Sequence, residues 1–274
     1  EVEAGTRLDT FVAHHVPALS RRAAAALCAR GGVTVNGRPG TKGAPLGAGA
    51  EVTVQVPDRA RPAADAAATL VVVLERGDLV IVDKPAGQPT APLDPAERGT
   101  LVNALVGRYP DLVGVGFGGL EPGIVHRLDN QTSGLLIAAR RPLTFSRLRE
   151  AIAGEHLEKR YLAVVEDHEL PGAAEVTAPI LPHPRSARRV QVGAAERTRR
   201  DRLPTTRWQV VARTGGLALL EVEAPRAARH QIRAHLASAG HPILGDAVYG
   251  GPPHPGLGRR HALHASFVGW VGDA

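Results

Sequence analysis

The chain has 274 residues, and its 33 lysines and arginines outnumber its 27 acidic residues, which gives a net charge of +6. This length allows one large domain or a small domain before a large one, and 43% apolar residues exclude a largely disordered chain. The single cysteine, Cys28, excludes an internal disulfide and favours the cytoplasm, and no apolar run approaches the roughly 18 residues of a membrane span.

Residues 1–57 have the pattern of a small α/β unit. A first helix is indicated by four residues at helical spacing: Leu8, Phe11, Val12 and His15. Ser20 can cap a second helix that runs to Arg30. A strand at 33–35 then enters a turn at Asn36-Gly37, the dipeptide most typical of a two-residue hairpin, and residues 51–56 alternate as a strand.

A change of pattern marks a domain boundary after this unit. Residues 58–68 show no apolar periodicity and contain Pro62, which is typical of a linker. The second domain, residues 69–274, has strand-like runs at 70–74, 79–82, 135–139, 161–165, 208–211 and 217–222. Helical patterns lie at 101–107, 143–153 and 230–239. Hairpins with occasional helices predict an α+β domain with a mixed, mostly antiparallel sheet.

Two patterns resemble nucleotide-binding and metal-binding motifs, but the neighbouring residues or the spacing that such motifs require are missing. Residues 114–119 match Gly-x-Gly-x-x-Gly, but they follow a turn, and Pro122 stands where a nucleotide-binding helix would begin. His230 and His235 are five residues apart, which does not place them on one helical face, and no paired cysteines exist. We therefore predict a loop at 114–119 and no metal.

Asp129 lies in a segment typical of a functional site. It follows His126 and Arg127, and it precedes a polar turn, Gly134 and an apolar run. This order places a carboxylate on an irregular loop at the mouth of a strand, where functional residues tend to lie. A surface acid that caps the turn explains the same letters, and the residues alone do not decide between the two.

Three further features have both a functional and a structural interpretation. Tyr161 opens a strand-like run and is equally suited to core packing. Arg233 lies on a different helical face from the apolar stripe of Ile232 and Leu236, as it also would on an exposed basic helix. The segment 183–213 holds nine arginines and two acids, which accounts for the whole excess charge. Arginine forks onto phosphate, so a polyanionic partner is predicted, although a general bias toward arginine would give the same count.

The string HRLDNQTSGLL at residues 126–136 closely resembles the catalytic motif of the RluA-type pseudouridine synthases. Four more segments match this family in the same order, at residues 78–87, 159–165, 230–250 and 263–265. Residues 6–56 resemble an S4-type RNA-binding domain, which often precedes this catalytic domain. The resemblance implies an α+β catalytic domain of pseudouridine synthase type behind a small α/β S4-like domain.

The implied reaction isomerises uridine within RNA. The bond from N1 to C1′ breaks, the uracil turns, and C5 bonds to C1′, so the resemblance implies neither a cofactor nor a metal. Ribosomal RNA of the large subunit is the expected partner, with transfer RNA as a second candidate. No obligate protein partner and no membrane association are expected, and we expect a monomer.

The resemblance also implies the roles of the site residues. Asp129 matches the essential aspartate, which acts either as nucleophile at C1′ or as base at C2′, and both routes stay open. Arg233 matches the basic residue that pairs with it. Tyr161 matches the active-site tyrosine, whose ring can stack on the uracil and whose hydroxyl stands near the proton to be removed. Ile232 would line the same pocket.

Other residues are expected to hold the RNA. Arg127 matches the wedge arginine that fills the space of an extruded uridine, and His126 either stabilises the flipped arrangement or shapes the loop. The remaining predicted contacts are arginines of the S4-like helix and of the arginine-rich segment: Arg21, Arg22, Arg197, Arg199 and Arg200. A noncatalytic RNA-binding scaffold would not need Asp129, and a hydrolase would need a second catalytic carboxylate that 126–134 does not supply.

Overall fold

The computed structural model describes residues 5–16, 19, 21–55, 61–116, 119–194, 203–225 and 228–270, without the side chain of Arg22. The predicted contacts Arg197, Arg199 and Arg200 lie outside these residues. Of the helices in these ranges, none combines the length and the apolar composition that a bilayer span requires.

The N-terminal unit consists of two helices and a small antiparallel sheet. Helix α1 is Leu8–His15 and α2 is Arg21–Ala29, and the strands are β1 Val33–Val35, β2 Arg38–Pro39 and β3 Val52–Val54 in the order β2-β1-β3. The predicted turn forms at Asn36 and Gly37, both with positive φ, as a two-residue hairpin requires. Apolar side chains from both helices and the sheet form its core: Leu8, Val12, Leu27, Val33 and Leu46.

The described part of the remaining chain is built on one eight-stranded sheet. Its strands are β4 Val71–Arg76, β5 Leu79–Lys84, β6 Ser133–Ala139, β7 Leu157–Glu166, β8 Ala173–Thr177, β11 Thr205–Thr214, β12 Leu217–Glu223 and β13 Leu263–Trp270. They lie in the order β4-β5-β6-β13-β7-β12-β11-β8. A separate hairpin is formed by β9 Ile180–Pro182 and β10 Val190–Val192. Only β6 and β13 pair in parallel within this sheet, so the predicted mixed, mostly antiparallel sheet is confirmed.

Three helices pack on the sheet: α3 Leu101–Arg108, α4 Pro142–Ala153 and α5 Gln231–Ser238. Leu105 of α3 and Leu236 of α5 belong to the main core, together with Leu136 of β6. Leu148 of α4 belongs to a second core cluster that contains Ile137. Because neighbouring residues of a strand point to opposite faces, α4 covers the face of β6 that α3 and α5 leave open.

Gly134 allows the close approach of the strands that carry the site. Its φ is +115°, and a Cβ there would lie 2.3 Å from the carbonyl oxygen of Ala265 on β13. Any other residue would therefore separate β6 from β13 at the position where Ala265 pairs with Gly134. The loop that ends at Gly134 contains Asp129, so this packing fixes the strand end from which the loop departs.

Candidate active site

The Asp129 loop is tied down by its backbone. The Thr132 N–H donates to the carbonyl oxygen of Asp129 at 3.0 Å, and the Gly87 N–H donates to that of Asn130 at 2.7 Å. Lys84, at the end of β5, is fully buried and its Nζ donates to the Asn130 carbonyl at 3.1 Å. Burial lowers the pKa of Lys84 to about 8, with the opposing charge of Asp129 limiting the shift. A buried cation thus holds the residue after Asp129 in place.

Arg233 joins two carboxylates beneath the loop. Its Nη1 donates to Asp129 Oδ2 at 2.8 Å, as the resemblance implies. Its Nε and Nη2 donate to the two oxygens of Asp246 at 2.7 and 2.8 Å, which is a bidentate pair. Burial alone lowers the pKa of Arg233, but the hydrogen bonds and charges of Asp246 and Asp129 outweigh it and raise that pKa. The guanidinium is therefore permanently charged and oriented from two sides.

Sequence reasoning did not find the role of Asp246. It is 2% exposed, and although burial raises its pKa, the hydrogen bonds and charge of Arg233 outweigh this and lower the pKa below the usual value. The residue lies within the matched segment 230–250, so it is part of a motif that the sequence analysis identified. Its function depends on the turn that brings it back under Arg233.

The predicted pocket residues meet at one place. Asp129 from the loop, Tyr161 from β7 and both Ile232 and Arg233 from α5 line a single pocket. Burial, together with the negative charge of Asp129, raises the pKa of Tyr161 to about 12. Its phenol therefore stays protonated at neutral pH. The structure thus brings the three predicted catalytic side chains together from three separate parts of the chain.

Arg127 and His126 differ in their exposure, although they are neighbours in the chain. The Arg127 side chain is 61% exposed, lines the pocket and pairs with Glu121 at 2.5 Å from Nη1 to Oε1. His126 is buried, and its Nε2 accepts a hydrogen bond from the Ile137 N–H at 3.3 Å. Burial and the charge of Lys159 lower the pKa of His126 to about 3, so the ring is neutral. Of the two roles considered for His126, the structure favours shaping the loop, because the ring does not line the pocket.

His230 is a pocket residue that the sequence did not reveal. It lies directly before α5 and lines the pocket, with its Nε2 3.8 Å from Asp129 Oδ2. Its Nδ1 lies 2.9 Å from the hydroxyl oxygen of Tyr249. The ring of Tyr249 also lies under Arg233, 5.0 Å from the guanidinium carbon. Tyr249 thus contacts both basic residues that face Asp129.

Two regions of the described surface carry exposed basic side chains. In the N-terminal unit, Arg21 is 63% exposed and pairs loosely with Asp9 at 3.4 Å, and it shares a surface pocket with Arg7 and Lys42. Near the active site, the connection between β9 and β10 carries three exposed arginines: Arg185, Arg188 and Arg189. Within the described ranges, no group of three or more histidine, cysteine or acidic residues is arranged to hold a metal ion.

Comparisons with known proteins identify both parts of the chain. A family model described as RNA pseudouridylate synthase matches residues 78–238, and an S4 domain model matches residues 6–52. A Chloroflexus aurantiacus protein named an uncharacterized RNA pseudouridine synthase is 38% identical over 267 residues, which cover 97% of this chain and 82% of that protein. A Xylella fastidiosa protein named ribosomal large subunit pseudouridine synthase D is 33% identical over 272 residues, 99% of this chain and 79% of that protein.

A solved structure supports the fold. The human protein RNA pseudouridylate synthase domain containing 1 superposes with a TM-score of 0.56 at 20% identity, over 73% of this chain and 78% of its own. Such distant identity bears on the fold alone. The match of the synthase model to the greater part of the chain, with relatives similar along nearly its whole length, shows that this chain belongs to the RluA-type RNA pseudouridine synthases, enzymes that isomerise uridine in RNA.

Proposed function

We propose that this enzyme isomerises one or more uridines of large-subunit ribosomal RNA, with Asp129 as the catalytic carboxylate. The observation that carries the proposal is the pocket in which Asp129, Tyr161 and the Arg233–Asp246 pair meet. Support for the substrate comes from similar proteins named ribosomal large subunit pseudouridine synthase D, from Xylella fastidiosa at 33% identity and Yersinia pestis at 30%. Transfer RNA is the second candidate.

The two oxygens of Asp129 have different surroundings. Oδ2 accepts the hydrogen bond from Arg233, whereas no described residue donates a hydrogen bond to Oδ1. A carboxylate that is oriented on one side and open on the other suits either attack at C1′ or removal of the C2′ proton. Asp246 does not offer a second catalytic carboxylate for hydrolysis, because Arg233 and the Val248 N–H already occupy its oxygens.

The pocket receives a uridine only after it leaves its stack. Extrusion costs a few kcal/mol for an unstacked base, and a side chain that fills the vacated space offsets this cost. Arg127 lies at the rim with an exposed guanidinium, and a single exposed ion pair to Glu121 is weak enough to release it. The Tyr161 ring and Ile232 then enclose the uracil within the pocket.

Arginines outside the pocket are proposed to bind the RNA. We assign RNA contacts to the S4-like unit with Arg21 and Arg22, and to the arginine-rich segment that includes Arg197, Arg199 and Arg200. We also propose that the enzyme acts as a monomer. An RNA substrate and the absence of a disulfide both fit the cytoplasm.

The test replaces Asp129 with asparagine. Pseudouridines are mapped in total RNA from cells that lack the gene and carry either the wild-type or the Asp129→Asn gene. We expect at least one pseudouridine of large-subunit ribosomal RNA to require the wild-type gene and to be absent with the variant, because an amide neither attacks C1′ nor removes a proton. Asp167→Asn is the control, since this acid pairs with Arg213 away from the pocket.

RNA binding separates loss of chemistry from loss of folding. The purified Asp129→Asn protein is expected to bind the same ribosomal RNA fragment as tightly as the wild type within about threefold, since the arginines to which we assign RNA contacts remain. Undiminished pseudouridine with the variant would contradict the mechanism. A gene-dependent site found only in transfer RNA would contradict the proposed substrate.

A further inference from the structure

His230 has a backbone conformation that its surroundings must maintain. Its φ of +55° and ψ of +19° lie in the left-handed region, which residues other than glycine rarely adopt. Strained residues of this kind cluster at functional sites, where the strained geometry aims a side chain. The side chain is only 12% exposed and lines the pocket beside Asp129.

The contacts of Tyr249 favour one position for the hydrogen of the His230 ring. The Tyr249 hydroxyl oxygen accepts a hydrogen bond from the Val190 N–H at 2.9 Å. Among the described residues, the hydroxyl hydrogen has one acceptor within reach, the Nδ1 of His230 at 2.9 Å. Burial lowers the pKa of His230, so its ring is neutral. A neutral ring whose Nδ1 accepts a hydrogen bond must carry its hydrogen on Nε2.

With the hydrogen on Nε2, this nitrogen of His230 is a donor that has no acceptor among the described residues. Its nearest acidic oxygen is Asp129 Oδ2, and 3.8 Å exceeds the length of a hydrogen bond. The other described residues give this nitrogen no hydrogen bond either. An oriented donor therefore faces the pocket beside the carboxylate that we assign to the ribose.

We propose that His230 Nε2 donates a hydrogen bond to the flipped uracil, to O2 before the base turns and to O4 afterwards. This inference rests on the proposed function. When the bond from N1 to C1′ breaks, its electron pair stays with the uracil, and the negative charge spreads onto both carbonyl oxygens. A donor at this position stabilises the detached base. Carbonyl O2 is the one beside N1, so it lies on the side of the ribose and of Asp129.

The symmetry of uracil lets one fixed donor serve both orientations. A half turn about the axis through N3 and C6 exchanges N1 with C5 and O2 with O4. C5 then faces C1′, the new bond forms, the C5 proton leaves, and N1 gains a proton. In this scheme His230 neither takes nor gives a proton. It holds a carbonyl oxygen at the same point before and after the turn.

The first test measures the tautomer in the full-length protein without RNA. Nitrogen NMR of ¹⁵N-histidine-labelled enzyme, assigned by comparison with His230→Gln, reports which ring nitrogen of His230 is protonated. We expect hydrogen on Nε2 and not on Nδ1 at neutral pH. In Tyr249→Phe, which keeps the ring under Arg233 but lacks the hydroxyl, this preference is expected to weaken. Hydrogen on Nδ1 in the wild type would overturn the inference.

The second test measures single-turnover rates on an RNA transcript that contains the mapped uridine. We expect His230→Ala to slow the reaction by about 100- to 1,000-fold, as the loss of a donor to developing charge does. His230→Gln keeps an N–H donor at similar reach but is no base, and we expect it to recover at least about tenfold of that loss. The exposed His168, changed to Ala, is the matched control.

A substrate change identifies the oxygen. Sulfur accepts hydrogen bonds poorly, so 2-thiouridine at the target is expected to slow the wild type more than it slows His230→Ala. Equal slowing, or a Gln variant no faster than the Ala variant, would overturn the donor role. If the wild type forms no pseudouridine in any RNA, the proposed function fails, and the NMR result still decides the donor.

Discussion

Asp246 determines how Arg233 meets Asp129. A guanidinium that faced Asp129 alone would fork onto both carboxylate oxygens. Here the Nε–H and one N–H of Nη2 bind Asp246, which holds that forked side of the guanidinium away from Asp129, and Nη1 bonds to Asp129 at Oδ2. In this orientation Oδ1 of Asp129 accepts no hydrogen bond from Arg233, while the charge of Arg233 stays close.

We predict that Asp246→Asn slows the chemical step by at least about tenfold, because a neutral amide releases Arg233 to take both oxygens of Asp129. Single-turnover rates at saturating RNA measure this effect, and RNA affinity is expected to change little. Removing one partner of a buried pair also destabilises a protein by up to about 3–5 kcal/mol, so urea unfolding accompanies the kinetics. Asp111→Asn, which breaks an ion pair with Arg140 outside the pocket, is the control. A wild-type rate in folded Asp246→Asn protein would refute the argument.

The sequence predicts some site residues better than others. The motif around Asp129, and its resemblance to a family, was enough to expect Arg233 and Tyr161 nearby. The parts played by Asp246, His230 and Tyr249 were not predicted, although all three lie in the matched segment 230–250. Each acts through a contact made in three dimensions, such as the 13-residue return from Arg233 to Asp246. The residue types in a motif do not specify which side chain orients which other side chain.

At the scale of elements, the sequence pattern did not predict the long central strand β13. It lies between β6 and β7 in the sheet, yet its pairing slips between Ala265 and Phe267. The bulge interrupts the alternation by which a half-buried strand is recognised. Strands β7 and β12, which pair without a slip over seven residues, were predicted because their alternation is regular. The strands β8, β9 and β10 have five, three and three residues and were not predicted, because no turn signal like the Asn36-Gly37 dipeptide beside the short β1 marks them.

The hairpin of β9 and β10 positions the first part of the arginine-rich segment, residues 183–189. Two contacts fix it beside the pocket: the Val190 N–H donates to Tyr249, and Arg229 Nη2 donates to the carbonyl oxygen of Ala187 at 2.7 Å. Its exposed arginines have no acidic partner within the described ranges. Unpaired cations beside an RNA pocket favour phosphate binding over a general bias toward arginine.

We therefore predict that changing Arg185, Arg188 and Arg189 together to alanine weakens RNA binding and lowers its salt dependence. Each lost phosphate contact reduces the log–log slope of affinity against salt by about 0.7 to 0.9, so the expected reduction is about 2 to 3. Binding titrations at several salt concentrations measure the slope. Arg207→Ala with Arg213→Ala is the control, since both arginines pair with acids. A triple variant with the wild-type slope would show that the hairpin does not touch phosphate.

Across the whole molecule, the site depends on buried groups that resist protonation. The neutral ring of His126 accepts a hydrogen bond from β6, and the buried His261 lies 2.8 Å from the Thr132 hydroxyl, next to the loop that carries Asp129. Burial lowers the pKa of both rings, and the charge of Arg233 adds to the effect at His261. Protonation of these rings at low pH therefore disturbs the packing that positions the loop with Asp129.

Because burial lowers the pKa of His126, the free energy of unfolding depends on pH. In the unfolded chain His126 binds a proton below its ordinary pKa of about 6.5, whereas in the folded protein its pKa is about 3. Between these values the unfolded state holds more protons, so stability falls as the pH falls. From about pH 8 to pH 5 this residue alone is expected to remove on the order of 2 kcal/mol from the free energy of unfolding.

Urea unfolding of the wild type and of His126→Gln across this pH range tests the prediction. Glutamine can accept the Ile137 N–H but has no proton to take up, so its variant lacks this part of the acid sensitivity. As the pH falls, the free energy of unfolding of the wild type should therefore decrease relative to that of His126→Gln. The exposed His168→Gln is the control and should follow the wild type. Parallel curves for wild type and His126→Gln would mean that His126 is protonated in the folded protein as readily as in the unfolded chain.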